Sequence, residues 1–354
     1  MVLYMSKIRI KNIYYMLSYA FRTLSEDKYK DIEAEEFEYT ADLMAAILAK
    51  GISGQIKRGL GRDYVIQTES LSSPKGKINI SQSIKELTML NGCLVCSYDS
   101  YEKNTYMNQV LKSTVLLLIN SDEVKPEHKK ELKKVLLFFN GVDEVHLRSV
   151  KWNDFTYTRN NSTYKMLINI CEYVVKGLLP TEEEGSKRLR RYLDDRQLHN
   201  LYEKFILEYY KKHYPEFDAA ASMVEWDVDD GYKKLLPVMK SDITLEYEGK
   251  ITIIDAKFYS QMFQYNNMFD SRTIHSNNIY QIFSYVKNKD INHDGRVNGI
   301  LLYAKTEDEK SLDETYQMNG NKISVKTLDL DKEFRKIRET LDQIAEDAKG
   351  SFVV

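Results

Sequence analysis

The 354-residue sequence has little cysteine, proline or tryptophan: three, five and two residues. A small, odd cysteine number builds no disulfide framework and suits a reducing compartment. Cys93 and Cys96 form a lone C-x-x-C without a second pair or nearby histidines, so zinc is not expected and residues 93–98 read as a strand. No apolar run reaches the roughly 20 residues of a membrane span. No apolar signal core precedes the charges in MVLYMSKIRIKN, so a cytoplasmic protein without membrane contact is expected. Excess charge is lacking too, with 51 basic against 53 acidic residues and a net charge of −2. Nucleic-acid binding is therefore not implied globally and would need a local basic patch or a partner. The G-x-x-x-x-G-K-[ST] loop is missing as well, so the chain shows no phosphate cradle of its own.

What is present is ordinary globular composition, 43% apolar and 29% charged, at a length sufficient for two cores. Helical periodicity runs over residues 8–24 and 42–56. Short alternating runs at 64–71, 76–80 and 93–98, separated by Ser-Pro-Lys-Gly and Asn-Gly, point to a small strand-rich module. Helices return at 106–119, 128–139 and 163–178. The stretch 180–185, PTEEEG, carries a breaker, an acidic run and a glycine and is the expected domain boundary. Lys187, Arg188, Arg190 and Arg191 follow it as candidate phosphate contacts. Beyond them come a helix at 198–214, a polar loop at 261–277, a helix at 278–286, strands at 298–305 and 322–328, and a C-terminal helix at 330–348. The fold class read from this order is α/β (α+β).

The chemistry is concentrated in MKSDITLEYEGKITIIDAKFYS, residues 239–260. Two alternating runs flank Glu248-Gly249, which predicts a β-hairpin with a two-residue loop. Pairing Tyr247 with Lys250 and stepping outward brings Asp242 opposite Asp255, with Cβ atoms roughly 5 Å apart. Like charges at that separation repel unless a cation lies between them. Lys257, two residues past Asp255, returns to the same strand face. Two carboxylates and a lysine at one point suit Mg²⁺, which is held by one or two carboxylates together with substrate phosphate. Phosphodiester hydrolysis uses such an ion to offset phosphate charge and acidify water.

Asp242, Asp255, Ala256 and Lys257 resemble the D-x12-D-x-K pattern of the PD-(D/E)xK nuclease superfamily, with Ser241 in place of the usual proline before the first Asp. Gln281 and Tyr285 lie at i and i+4 on one helix face, and a Gln-x-x-x-Tyr helix after the Asp-x-Lys strand resembles the RecB-like branch. That branch commonly supplies an acidic residue from a preceding helix. Glu203 is the candidate, as a further metal or water ligand, and the backbone carbonyl of Ala256 is a candidate ligand too.

Lys11 to Ala20 (KNIYYMLSYA), Arg58 to Tyr64 (RGLGRDY), Lys75 to Asn79 (KGKIN), Asn104 to Lys112 (NTYMNQVLK), Pro237 to Asp242 (PVMKSD) and Asp255 to Tyr259 (DAKFY) together resemble the McrC family over nearly the whole chain. The resemblance implies a nuclease subunit of a modification-dependent restriction system. Its partner would be an McrB-like AAA+ GTPase hexamer that reads modified cytosine in double-stranded DNA. It implies two domains: residues 1–180, helical and strand-rich, docking to and stimulating the GTPase, and residues 181–354, a PD-(D/E)xK restriction-endonuclease-like domain. Pairing of nuclease subunits is left open. If the amino-terminal region supplies a guanidinium to the GTPase in trans, Arg58 and Arg62 beside the glycine-rich turn are the candidates. A stand-alone RecB-like nuclease and a noncatalytic adaptor of a AAA+ motor are the alternative readings.

Overall fold

The computed structural model describes residues 8–158, 161, 163–178, 195–258, 263–266, 271–305 and 311–350. In chain order these form α1 (Ile10–Ala20), α2 (Lys30–Ala34), α3 (Thr40–Arg58), β1 (Asp63–Leu71), β2 (Lys77–Ile78), α4 (Ile80–Lys85), β3 (Leu94–Glu102), α5 (Tyr106–Ile119), α6 (Pro126–Leu136) and α7 (Tyr164–Leu178). There follow α8 (Asp195–His213), β4 (Met223–Val224), β5 (Met239–Lys240), β6 (Ile243–Tyr247), β7 (Lys250–Lys257), β8 (Phe263–Asn266), β9 (Ser271–Ile274), α9 (Ser276–Lys289), β10 (Val297–Ala304), β11 (Asp313–Met318), β12 (Asn321–Leu328) and α10 (Phe334–Gly350). The mixed α/β class is as expected.

The chain divides into two compact units, and the division differs from one cut near residue 180. One unit combines Met1–Phe37 with Leu193–Val354, and the other is Glu38–Tyr192. The reason is local: α1 finds its partners near the other end of the chain. Asn12 Nδ2 donates to the carbonyls of Leu330 and Lys332, each at 2.7 Å, and the rings of Tyr15 and Phe334 stack 4.3 Å apart. The expected boundary at 180–185 and the cations Lys187, Arg188, Arg190 and Arg191 lie outside the described residues.

In the Glu38–Tyr192 unit, α3 packs on α6 and α7, and α5 on α7. Asp42, fully buried, accepts from the Lys125 backbone N–H at 2.9 Å and lies 2.6 Å from His128 Nδ1. The strand module is a sheet in the order β1-β3-β2. The strand expected at 76–80 is confined to Lys77–Ile78, because Ile80 already opens α4.

The other unit is built on a sheet ordered β11-β12-β10-β7-β6, in which β7, β10 and β12 run parallel and the two outer pairs antiparallel. All eight residues of β10 are buried, which is why VNGILLYA reads as a continuous apolar run. Ile253, Leu301, Tyr303, Ile323 and Val325 pack with Ile282, Tyr285 and Val286 of α9 in one core cluster. Gly299 permits this closeness, since a Cβ there would stand 2.8 Å from both Ile282 Cγ1 and Val286 Cγ2. The 261–277 segment, expected as a loop, instead carries the antiparallel pair β8–β9 among its described residues. The last helix starts at Phe334 rather than 330.

Candidate active site

The hairpin is what positions the acids. Tyr247 pairs with Lys250 and Ile243 with Ile254, the register expected from the turn. Glu248 and Gly249 both have positive φ, 48° and 74°, the twist that a two-residue hairpin loop requires. One step beyond the last pair, the Ala256 backbone N–H donates to Asp242 Oδ2 at 2.8 Å, bringing the first acid against the strand of the second. Ser241, where the pattern it resembles usually has proline, uses groups that proline lacks. Its N–H donates to Ser222 O at 2.9 Å, and its Oγ lies 2.8 Å from Thr244 Oγ1. A proline has no such donor.

Asp255 and Lys257 sit at the carboxyl end of β7, both nearly inaccessible to solvent. Lys257 Nζ lies 2.7 Å from Asp255 Oδ2. Beyond that ion pair, neither Asp255 oxygen finds a hydrogen-bond partner of good geometry among the described residues. Lys257 Nζ also donates to Gln281 Oε1 at 3.1 Å, and Gln281 Nε2 donates to Tyr285 Oη at 2.8 Å. The two α9 residues paired by spacing thus form the next links of one chain, Asp255–Lys257–Gln281–Tyr285. Burial and the neighbouring Asp255 and Glu203 push the Asp242 carboxyl well above the usual carboxylate range, against the Ala256 amide and Lys257, which lower it. Burial raises Asp255 in the same direction, opposed first by Lys257.

Glu203, on α8, is close enough to raise both carboxylates. It is not alone. His199 Nε2 lies 2.7 Å from Glu203 Oε1, and His199 Nδ1 accepts from the Phe258 backbone N–H at 3.3 Å. Because Nδ1 accepts, the ring proton sits on Nε2 and points at Glu203. Sequence reasoning passed over His199. Its spacing of four from Glu203 was visible, but its link to the end of β7 spans 59 residues of chain.

Arg58 and Arg62 are not part of this constellation. Arg58 closes α3, with Nη2 3.5 Å from Gln55 Oε1, and Arg62 is exposed in the short connection before β1.

No group of three or more His, Cys, Asp or Glu side chains among the described residues makes a ready metal cage. The donors are instead two opposed carboxylates, one of them buried with its oxygens short of hydrogen bonds. That donor set fits an ion completed by water and substrate phosphate rather than an all-protein site.

A family model described as McrBC 5-methylcytosine restriction system component matches residues 5–304. The chain belongs to this family. The match takes in every residue of the constellation and ends with β10. The Type IV methyl-directed restriction enzyme EcoKMcrBC of Escherichia coli strain K12 is 28% identical over 338 residues, which are 94% of this chain and 96% of that relative. Among solved structures, a half-complex from a tetradecameric assembly of Thermococcus gammatolerans McrB AAA+ hexamers with bound McrC is similar. The TM-score is 0.53 at 14% identity, covering 95% of this chain and 75% of that one, a likeness of fold.

Proposed function

We propose that the chain is the DNA-cutting subunit of a GTP-dependent restriction system directed at modified cytosine, and that it also stimulates a separate McrB-like AAA+ GTPase. The observation that carries this reading is the meeting of Asp242, Asp255 and Lys257 at the end of β7, with Gln281 fixing the lysine. Membership of the family, and the likeness to McrC bound to McrB AAA+ hexamers, support this choice of system and partner.

Asp242 and Asp255 would hold Mg²⁺, with Glu203 and the Ala256 carbonyl as further oxygen donors. A bound ion of this kind neutralises phosphate charge and lowers the pKa of its water. Lys257 is the group of this chain that acts on the reacting phosphate. Held between Asp255 and Gln281, its ammonium is oriented before substrate arrives and takes up negative charge that grows on a phosphoryl oxygen. Gln281 and Tyr285 keep it from swinging away, which preserves the geometry on which rate depends.

For the partner, the supporting feature is the β1-β3-β2 module. Tyr64, Ile66 and Tyr101 are exposed there, the two tyrosine rings 5.1 Å apart across the strands. Such apolar exposure marks a surface used for contact.

The test is cleavage of methylated DNA by the chain with its GTPase partner. Asp242→Asn, Asp255→Asn and Lys257→Ala are each expected to abolish cutting while assembly and GTP hydrolysis persist. Cutting that survives all three, or that is lost only in step with assembly, removes the nuclease reading.

A further inference from the structure

A cavity of about 560 Å³ in the unit that carries the carboxylates, lined by none of them, lies between α1, the α2 region, the end of α8 and the start of α10. Its size falls within the range of small-molecule sites. The walls combine two chemistries. Tyr15, Tyr19 and Phe334 line it with aromatic surface, Tyr15 stacked on Phe334 at 4.3 Å and Tyr19 6.0 Å from Phe334. Lys212, Arg335 and Arg338 line it with positive charge, and the Lys212 ammonium stands 5.0 Å from the Tyr19 ring centre.

The cations differ in how far they are engaged: Arg338 is hydrogen-bonded to Tyr209 with Asp342 beside it, whereas Arg335 is held only loosely. Arg335 meets Glu339 only at 3.7 Å across a solvent-exposed helix turn, a pair of small energetic weight. Among the lining side chains Lys30, Lys212, Arg335 and Arg338 outnumber the carboxylates Glu26 and Glu33, although Lys30 is paired with Asp27 at 2.7 Å and contributes little to binding an anion. Planar guanidinium groups bind phosphate through paired donors. Aromatic faces stack with any nucleobase, and carboxylates accept from exocyclic amines.

We propose that this cavity binds a nucleoside phosphate, the base against the Tyr15–Phe334 wall and the phosphate on Arg335, Arg338 and Lys212. The same unit of chemistry occurs in a free nucleotide and in a single DNA strand, and the experiment separates the two. The proposal does not depend on metal or on cleavage, since none of these residues belongs to the carboxylate site.

Titration calorimetry on the full chain in EDTA would use adenosine monophosphate, ribose 5-phosphate, inorganic phosphate and pentathymidylate. Saturable binding of the mononucleotide, tighter than that of ribose 5-phosphate, is expected for a free nucleotide; binding of pentathymidylate alone assigns the cavity to a strand. The double variant Arg335→Glu, Arg338→Glu should weaken binding about tenfold or more. Tyr15→Ala should erase the advantage of the base over ribose 5-phosphate. Lys212→Glu, on an exposed side chain, repeats the charge test without touching α10. Absence of binding by all four ligands, or binding unmoved by these variants in proteins of unchanged melting temperature, overturns the proposal.

Discussion

The Ala256 amide donates to Asp242 Oδ2 at 2.8 Å, so the residue following Asp255 in the strand fastens the opposing acid in place. Two carboxylates are held together by the main chain rather than by mutual attraction. Their repulsion and burial are a standing destabilisation of the metal-free protein that either protons or a cation relieves.

A pH dependence follows. Asp242 is raised to about 7 in the folded chain and Asp255 is raised as well, so the folded state holds protons that the unfolded chain has released. Their contribution to stability is intact below the ordinary carboxylate range and is lost as pH rises toward about 7. The melting temperature of the metal-free protein should fall across that interval, and Asp242→Asn should flatten the fall. Added Mg²⁺ should raise melting more at pH 8 than at pH 6. A metal-free melting curve that is level in wild type contradicts the paired-acid arrangement.

Gln281 offers a cleaner probe of orientation than Lys257 itself. Gln281→Leu preserves bulk on α9 but withdraws the acceptor at 3.1 Å from the lysine. Cleavage should drop by about a hundredfold, with melting little changed. A rate equal to wild type would show that Asp255 alone aligns the ammonium.

Ser241→Pro introduces the residue usual in the nuclease pattern that these residues resemble, yet it should harm this protein. The N–H given to Ser222 O would vanish, leaving a half-buried carbonyl short of its partner, at about 1 kcal/mol. Chemical denaturation of the variant measures this directly. A stability equal to wild type would mean that the backbone there re-pairs.

Gly299→Val tests the seating of α9. With Ile282 and Val286 already 2.8 Å from the position a Cβ would take, the helix must retreat, costing about 1–3 kcal/mol. Since α9 carries Gln281, cleavage should fall further than stability alone explains, as comparison at a temperature well below both melting points would reveal.

The hairpin was legible because a turn dipeptide and two alternating runs leave one register, and register alone places Asp242 against Asp255. Gln281 and Tyr285 were legible because helical spacing fixes their shared face. Strand β11 was not, since DETYQM is exposed and polar along an outer edge and carries no alternation to read. His199 depends on a backbone amide of β7's far end, and α1 depends on carbonyls more than 300 residues away. Pattern along the chain reports neighbours in sequence, and those contacts are not neighbours. For the same reason the grouping of the first 37 residues with Leu193–Val354 was not legible along the chain.

That split membership orders events during synthesis. Helix α1 emerges from the ribosome more than 300 residues before Leu330, Lys332 and Phe334, which it grips. The segment between can fold while α1 waits, and the sheet bearing the acids is completed only after β12 has been made. A shortened gene that starts at the middle of the chain would therefore yield the acid-bearing unit without one of its own helices.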